Sequence, residues 1–71
     1  MATALKFFLR STPDKKTLDR ILQYMKTFGH GETRIARQGR FTVILVANRR
    51  DGDIVRDQFK HLVDAWVDYR R

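Results

Sequence analysis

Phe41-Thr42-Val43-Ile44-Leu45-Val46-Ala47 is apolar and β-branched on both of its alternating faces. Side chains along a strand alternate with period two, so a half-solvated strand shows a polar residue at every second place. This one does not, and it is expected to be a central strand. Upstream, Glu32 to Gln38 is a polar strand candidate. Thr33, Ile35 and Arg37 fall on one side, and Arg34, Ala36 and Gln38 on the other. Such charge suits an edge, where it discourages pairing with other chains. Gln38-Gly39 joins the two as a tight hairpin turn, with Gly39 supplying a positive φ.

Towards the N-terminus, Leu5 to Arg10 reads as another strand. Leu5, Phe7 and Leu9 point one way, and Lys6, Phe8 and Arg10 the other. Ser11-Thr12-Pro13-Asp14 signals a helix start, with Thr12 as cap, Pro13 in the first helical position and Asp14 near the positive end of the dipole. The helix runs to about Phe28, with Leu18, Ile21, Leu22, Met25 and Phe28 at helical spacing. Gly29 and Gly31 stop it. Towards the C-terminus, Asn48 to Asp53 reads as a turn in which Asp51 or Asp53 caps a second helix. That helix is expected over Ile54 to Tyr69, with Val55, Phe59, Leu62, Val63, Trp66 and Tyr69 in one stripe. Trp66 and Tyr69 then belong to the core and its rim, and Lys60 with Asp64 forms an i,i+4 pair.

The expected fold class is α+β, a β-α-β-β-α chain in one domain over residues 1–71. Its three strands are expected in the order 1-3-2, the first parallel to the third. Both helices cover one face, as in a ferredoxin-like fragment lacking its last strand. A domain of this size buries only roughly 60% of its unfolded surface, so nearly every apolar residue must be used or shared with a partner.

Composition excludes several classes of function. There is no cysteine, hence no disulfide framework or thiolate metal site. No apolar run approaches the ~20 residues of a membrane span, and Met1 to Ser11 lacks the pattern of a secretory signal. A cytoplasmic location is expected. His30, between Gly29 and Gly31, and His61 have no further ligands at metal spacing. Asp51-Gly52-Asp53 lacks the remaining oxygen ligands of a calcium loop. No serine or threonine sits in a nucleophile elbow, and the glycines form no phosphate loop. The chain is read as non-enzymatic, with no cofactor and no metal.

Charge is the more informative feature. The formal net charge is +7 on 71 residues. Residues 1–31 carry +4 and residues 32–50 another +4, while residues 51–69 carry −3. The middle block holds Arg34, Arg37, Arg40, Arg49 and Arg50 against Glu32 alone. Arginine presents a planar fork suited to phosphate or carboxylate. These five, with Lys6 and Arg10, form the candidate surface for nucleic acid (RNA or DNA) or an acidic protein. The sheet face away from the helices is a second candidate. It takes Phe8 from the first strand, and from the third either Phe41, Val43 and Leu45 or Thr42, Ile44 and Val46. Phe8 and Ile44 are the interface residues named for it. An apolar patch rimmed by basic groups marks an interaction site. The function expected is a small basic nucleic-acid-associated or regulatory protein contacting phosphates through its Arg-rich hairpin. The alternative is a protein-interaction module, an inhibitor or adaptor such as phages and mobile elements encode, or a homodimer closed through that face.

Overall fold

The computed structural model describes residues 5–68. Strand β1 (Leu5–Leu9) leads to helix α1 (Lys15–Phe28), then to the hairpin of β2 (Thr33–Gln38) and β3 (Phe41–Val46). Helix α2 (Arg49–Gln58) follows, a 3-10 turn over Lys60–Leu62, and a last strand, β4 (Val63–Asp68). The four strands form one sheet in the order β2-β3-β1-β4, with every neighbouring pair antiparallel.

The hairpin forms as its sequence demands. Gln38 pairs with Phe41, leaving Gly39 and Arg40 as a two-residue loop. Gly39 has φ 61°, the positive value that tight hairpins need at the first central position. Helix α1 is amphipathic: it buries Ile21 and Met25 and leaves its charged face to solvent. These two residues meet Leu5, Phe7 and Leu9 from β1, Ile44 and Val46 from β3, and Val55 and Phe59 from the α2 segment. Both helices therefore lie on the same side of the sheet. Each fully buried side chain of this size contributes roughly 1.5–3 kcal/mol of transfer free energy.

The α+β class and the hairpin agree with the sequence expectation, and several expectations are corrected. The sheet has four strands, not three. Strand β1 runs antiparallel to β3: β2 reverses direction at the hairpin, so β1 is parallel to β2 and opposed to the strand between them. The second helix starts at Arg49 and ends at Gln58. Asn48 is its cap, accepting from the Asp51 N–H at 2.8 Å, so residues 49–53 are helical rather than a turn. Gly52 does not break this helix. Its Cα faces Leu5, whose methyl groups would lie 3.0 Å from any added Cβ, so the glycine lets α2 approach β1 closely. Residues Val63–Asp68 form a strand, and the proposed Lys60–Asp64 pair does not share a helix. Trp66 is on that strand with 42% of its surface exposed, outside the core, while Tyr69 lies outside the described residues. The first helix is capped by Asp14, which accepts from the Thr17 N–H at 2.9 Å, rather than by Thr12.

Candidate nucleic-acid interface

The antiparallel register settles which side chains share a face. Phe7 stands opposite Ile44 and Leu5 opposite Val46, so these four point towards the helices. Ile44 is fully buried among them. It is not an interface residue of the uncovered face, and this corrects the sequence reading. The choice left open by strand β3 falls to Phe41, Val43 and Leu45.

The uncovered face is built from rows of paired residues. Arg34, Leu45, Lys6 and Val67 form one row across the four strands. Ala36, Val43, Phe8 and Ala65 form the next. Gln38 and Phe41 form the third, at the hairpin end. Arg10 follows the end of β1 at this end of the sheet, where its N–H donates to the Leu62 carbonyl at 2.9 Å. Apolar residues thus fill most of the face, with Arg34 on its edge strand and Lys6 on a central one.

Two aromatic rings meet on the central strands. Phe8 on β1 and Phe41 on β3 have centroids 5.7 Å apart and planes inclined at 76°. Phe41 remains 43% exposed, and Phe8 is half-buried. Beside them the Lys6 ammonium donates to Gln38 Oε1 at 2.7 Å and lies 6.0 Å from the Phe8 centroid. The Lys6 side chain thus crosses the face instead of leaving it. Within the three rows the formal charges are Lys6 and Arg34, both positive. Glu32, just before β2, holds Arg34 Nε at 3.1 Å, with both groups well exposed. Such a pair is worth ~0–1 kcal/mol and yields readily to a stronger anion.

The arginines named from sequence do not form one patch. Arg40 sits in the hairpin loop, at the same end as Arg10 and Phe41. Arg37 stands opposite Thr42 and so belongs to the helix side of the edge strand. Arg49 and Arg50 open helix α2 at the far end of the sheet, beyond the Leu5–Val46 pair. Arg49 there approaches Asp68 at 3.9 Å. Arg10, Arg37, Arg40 and Arg50 make no ion pair among the described residues. The structure therefore sets Lys6 beside the Phe8 ring, Arg34 in the same row as Lys6, and Arg10 and Arg40 in the segments that adjoin the hairpin end, while Arg37, Arg49 and Arg50 stand apart. Gln38, Ala65 and Val67 also belong to the face. The alternation of Ala65 and Val67 with Asp64, Trp66 and Asp68 was the sequence signal for the last two; Val63 leaves that pattern, opposite Leu9 and against the core.

Other chemistry is sparse. Among the described residues no group of three or more His, Asp or Glu side chains is placed to hold a metal ion. His30 is exposed, and its backbone N–H is held by Asp51 at 2.8 Å. His61 is exposed in the 3-10 turn. No helix among the described residues is long and apolar enough to cross a membrane. The chain matches no protein-family model, no curated protein and no solved structure.

Proposed function

We propose that this chain is a small non-enzymatic nucleic-acid-binding protein that presents the uncovered sheet face to its ligand. Lys6, Arg10, Arg34 and Arg40 contact phosphates, and the apolar middle of the face meets the rest of the nucleotide. The observation that carries this reading is the Phe8–Phe41 ring pair on the two central strands, with the Lys6 ammonium beside it. A sheet displaying aromatic groups between basic ones is a recurring solution for unpaired nucleic acid. We also read the interleaved β-α-β units, with their 2-3-1-4 sheet, as a complete ferredoxin-like arrangement rather than a fragment.

An acidic protein is the competing occupant, and salt separates the two less well than the residues do. Four phosphate contacts on a flexible strand give a slope of log affinity against log salt of about −3. Affinity for a short single-stranded oligonucleotide, followed by fluorescence anisotropy, should then fall on the order of 50-fold between about 50 and 200 mM salt. Charge reversal of Arg34 and Arg40 together should flatten that slope by at least about one. Reversal of Arg49 and Arg50, at the far end, should leave most of the slope in place. Equal effects from both pairs, or no binding at the lowest salt, would exclude this face as a phosphate-binding surface.

A further inference from the structure

We infer that the uncovered face selects single-stranded over duplex nucleic acid, by lodging an unstacked base in the corner between Phe8 and Phe41. The inference rests on the phosphate-binding reading above and adds what is bound beside the phosphates.

The geometry of the rings is the starting point. Planes inclined at 76° with centroids 5.7 Å apart form a corner rather than a continuous platform. A base lying flat on one ring sets its edge against the face of the other. Stacking of this kind is available to every base, because each has a π-face. The Lys6 ammonium stands at the side of this corner, 6.0 Å from the Phe8 centroid. There it donates to a neutral amide oxygen, that of Gln38. A phosphate is a stronger acceptor for an ammonium than an amide, since charge-assisted hydrogen bonds are roughly twice as strong. The corner and the ammonium together match one nucleotide, a base with its phosphate.

Duplex does not fit the same surface. A four-stranded sheet is roughly 14 Å across between its outer strand axes, while the major groove of B-form DNA is about 12 Å wide. Laid on a duplex, the face meets the backbone, and the two rings bury against sugar and phosphate with no base to stack on. A second copy of this chain fits poorly as well. Face-to-face pairing would bring together two molecules, each of net charge +7, across rows that include Lys6 and Arg34.

The test compares four probes by anisotropy at low salt: labelled oligothymidylate, oligouridylate, a blunt duplex of equal length and an abasic strand of equal length. One of the single strands should bind at least about 10-fold tighter than the duplex and the abasic strand. Phe41→Ala should lower single-strand affinity by roughly 5- to 100-fold, bring it towards the abasic value and leave the salt slope unchanged. Phe41→Trp should retain the affinity. Because Phe8 is half-buried, Phe8→Ala is read only where circular dichroism matches the parent, and Phe41→Ala carries the decision. Equal binding of base-bearing and abasic strands, with the salt slope intact, would overturn the stacking corner and leave the phosphate reading standing. Absence of binding to all four would overturn both. A concentration-dependent dimer that dissociates with Phe41→Ala would assign the face to self-association and overturn the inference.

Discussion

Asp51 is a carboxylate with no exposed surface, and its surroundings explain why it is tolerated there. One oxygen accepts from the His30 N–H and the other from the Gly31 N–H, each at 2.8 Å. Its own N–H donates to Asn48 Oδ1. A single residue in the first turn of α2 thus holds the loop that follows α1, and two loop donors that would lack a helical partner are satisfied. Deleting it takes the acceptor from both N–H groups of a part-buried cluster. Asp51→Ala should lower stability by about 2–4 kcal/mol. Asp51→Asn keeps one acceptor and should lose about half as much. Urea unfolding followed by the fluorescence of Trp66, the single tryptophan, measures both, and losses below about 0.5 kcal/mol for Asp51→Ala would refute the clamp. The sequence marks Asp51 as a capping candidate because it precedes a helical pattern. Its partners some twenty residues away are set by tertiary packing, which no local pattern carries. The same holds for His30: Gly-His-Gly resembles a ligand loop, yet its backbone is what the protein uses.

At the level of elements, legibility follows how far local rules and tertiary ones agree. Helix α1 and the β2–β3 hairpin are legible because their periodicity, cap region and turn glycine all point the same way. The stretch after Val55 is not. Val55, Phe59, Leu62, Val63 and Trp66 satisfy a helical stripe, while Val63, Ala65 and Val67 satisfy strand alternation. No glycine or proline separates the two. The chain leaves the helix at Phe59, with φ −120° and ψ 23°, because pairing with β1 satisfies both of that strand's edges. Without β4 the uncovered face lacks one of its four strands, and with it Ala65 and Val67. The start of α1 offers a test that belongs to one element. Hydrogen bonds from Thr17 hold the Asp14 carboxyl below its ordinary value of 3.8. The folded-state pKa is depressed, so the stabilisation is fully present above the unfolded-state value and is lost as pH falls through the folded one. Asp14→Ala should therefore weaken the protein near neutral pH and make its unfolding midpoint less dependent on pH below about 4. Parallel acid limbs for variant and parent, traced by urea midpoints across that range, would show that the cap contributes nothing.

At the scale of the whole molecule, charge sets a conflict that the proposed binding would resolve. Residues 5–68 carry +5 of the net charge of +7, within 30 × 26 × 21 Å. At ~0.01 M salt the screening length is about 30 Å, so each charge acts on all the others, whereas at ~0.1 M it is about 10 Å. The surface ion pairs that salt would weaken are few and exposed, so screening removes more repulsion than attraction. The free protein should become more stable as salt rises over this range. A bound single strand acts in the opposite direction. On the proposed reading it would neutralise cations of the uncovered face and stabilise the fold by RT ln(1 + [L]/Kd), about 2.7 kcal/mol when the ligand is at 100 times its Kd. That increment shrinks as salt weakens binding. Thermal midpoints measured with and without a fixed concentration of oligothymidylate or oligouridylate, whichever binds tighter, should therefore converge as salt increases, the free curve rising and the bound curve falling towards it. With Arg34 and Arg40 both reversed to Glu, the free protein should gain stability at low salt and the gap between the curves should narrow. Curves that stay parallel across the range would mean that the excess charge and the ligand do not meet on the same surface.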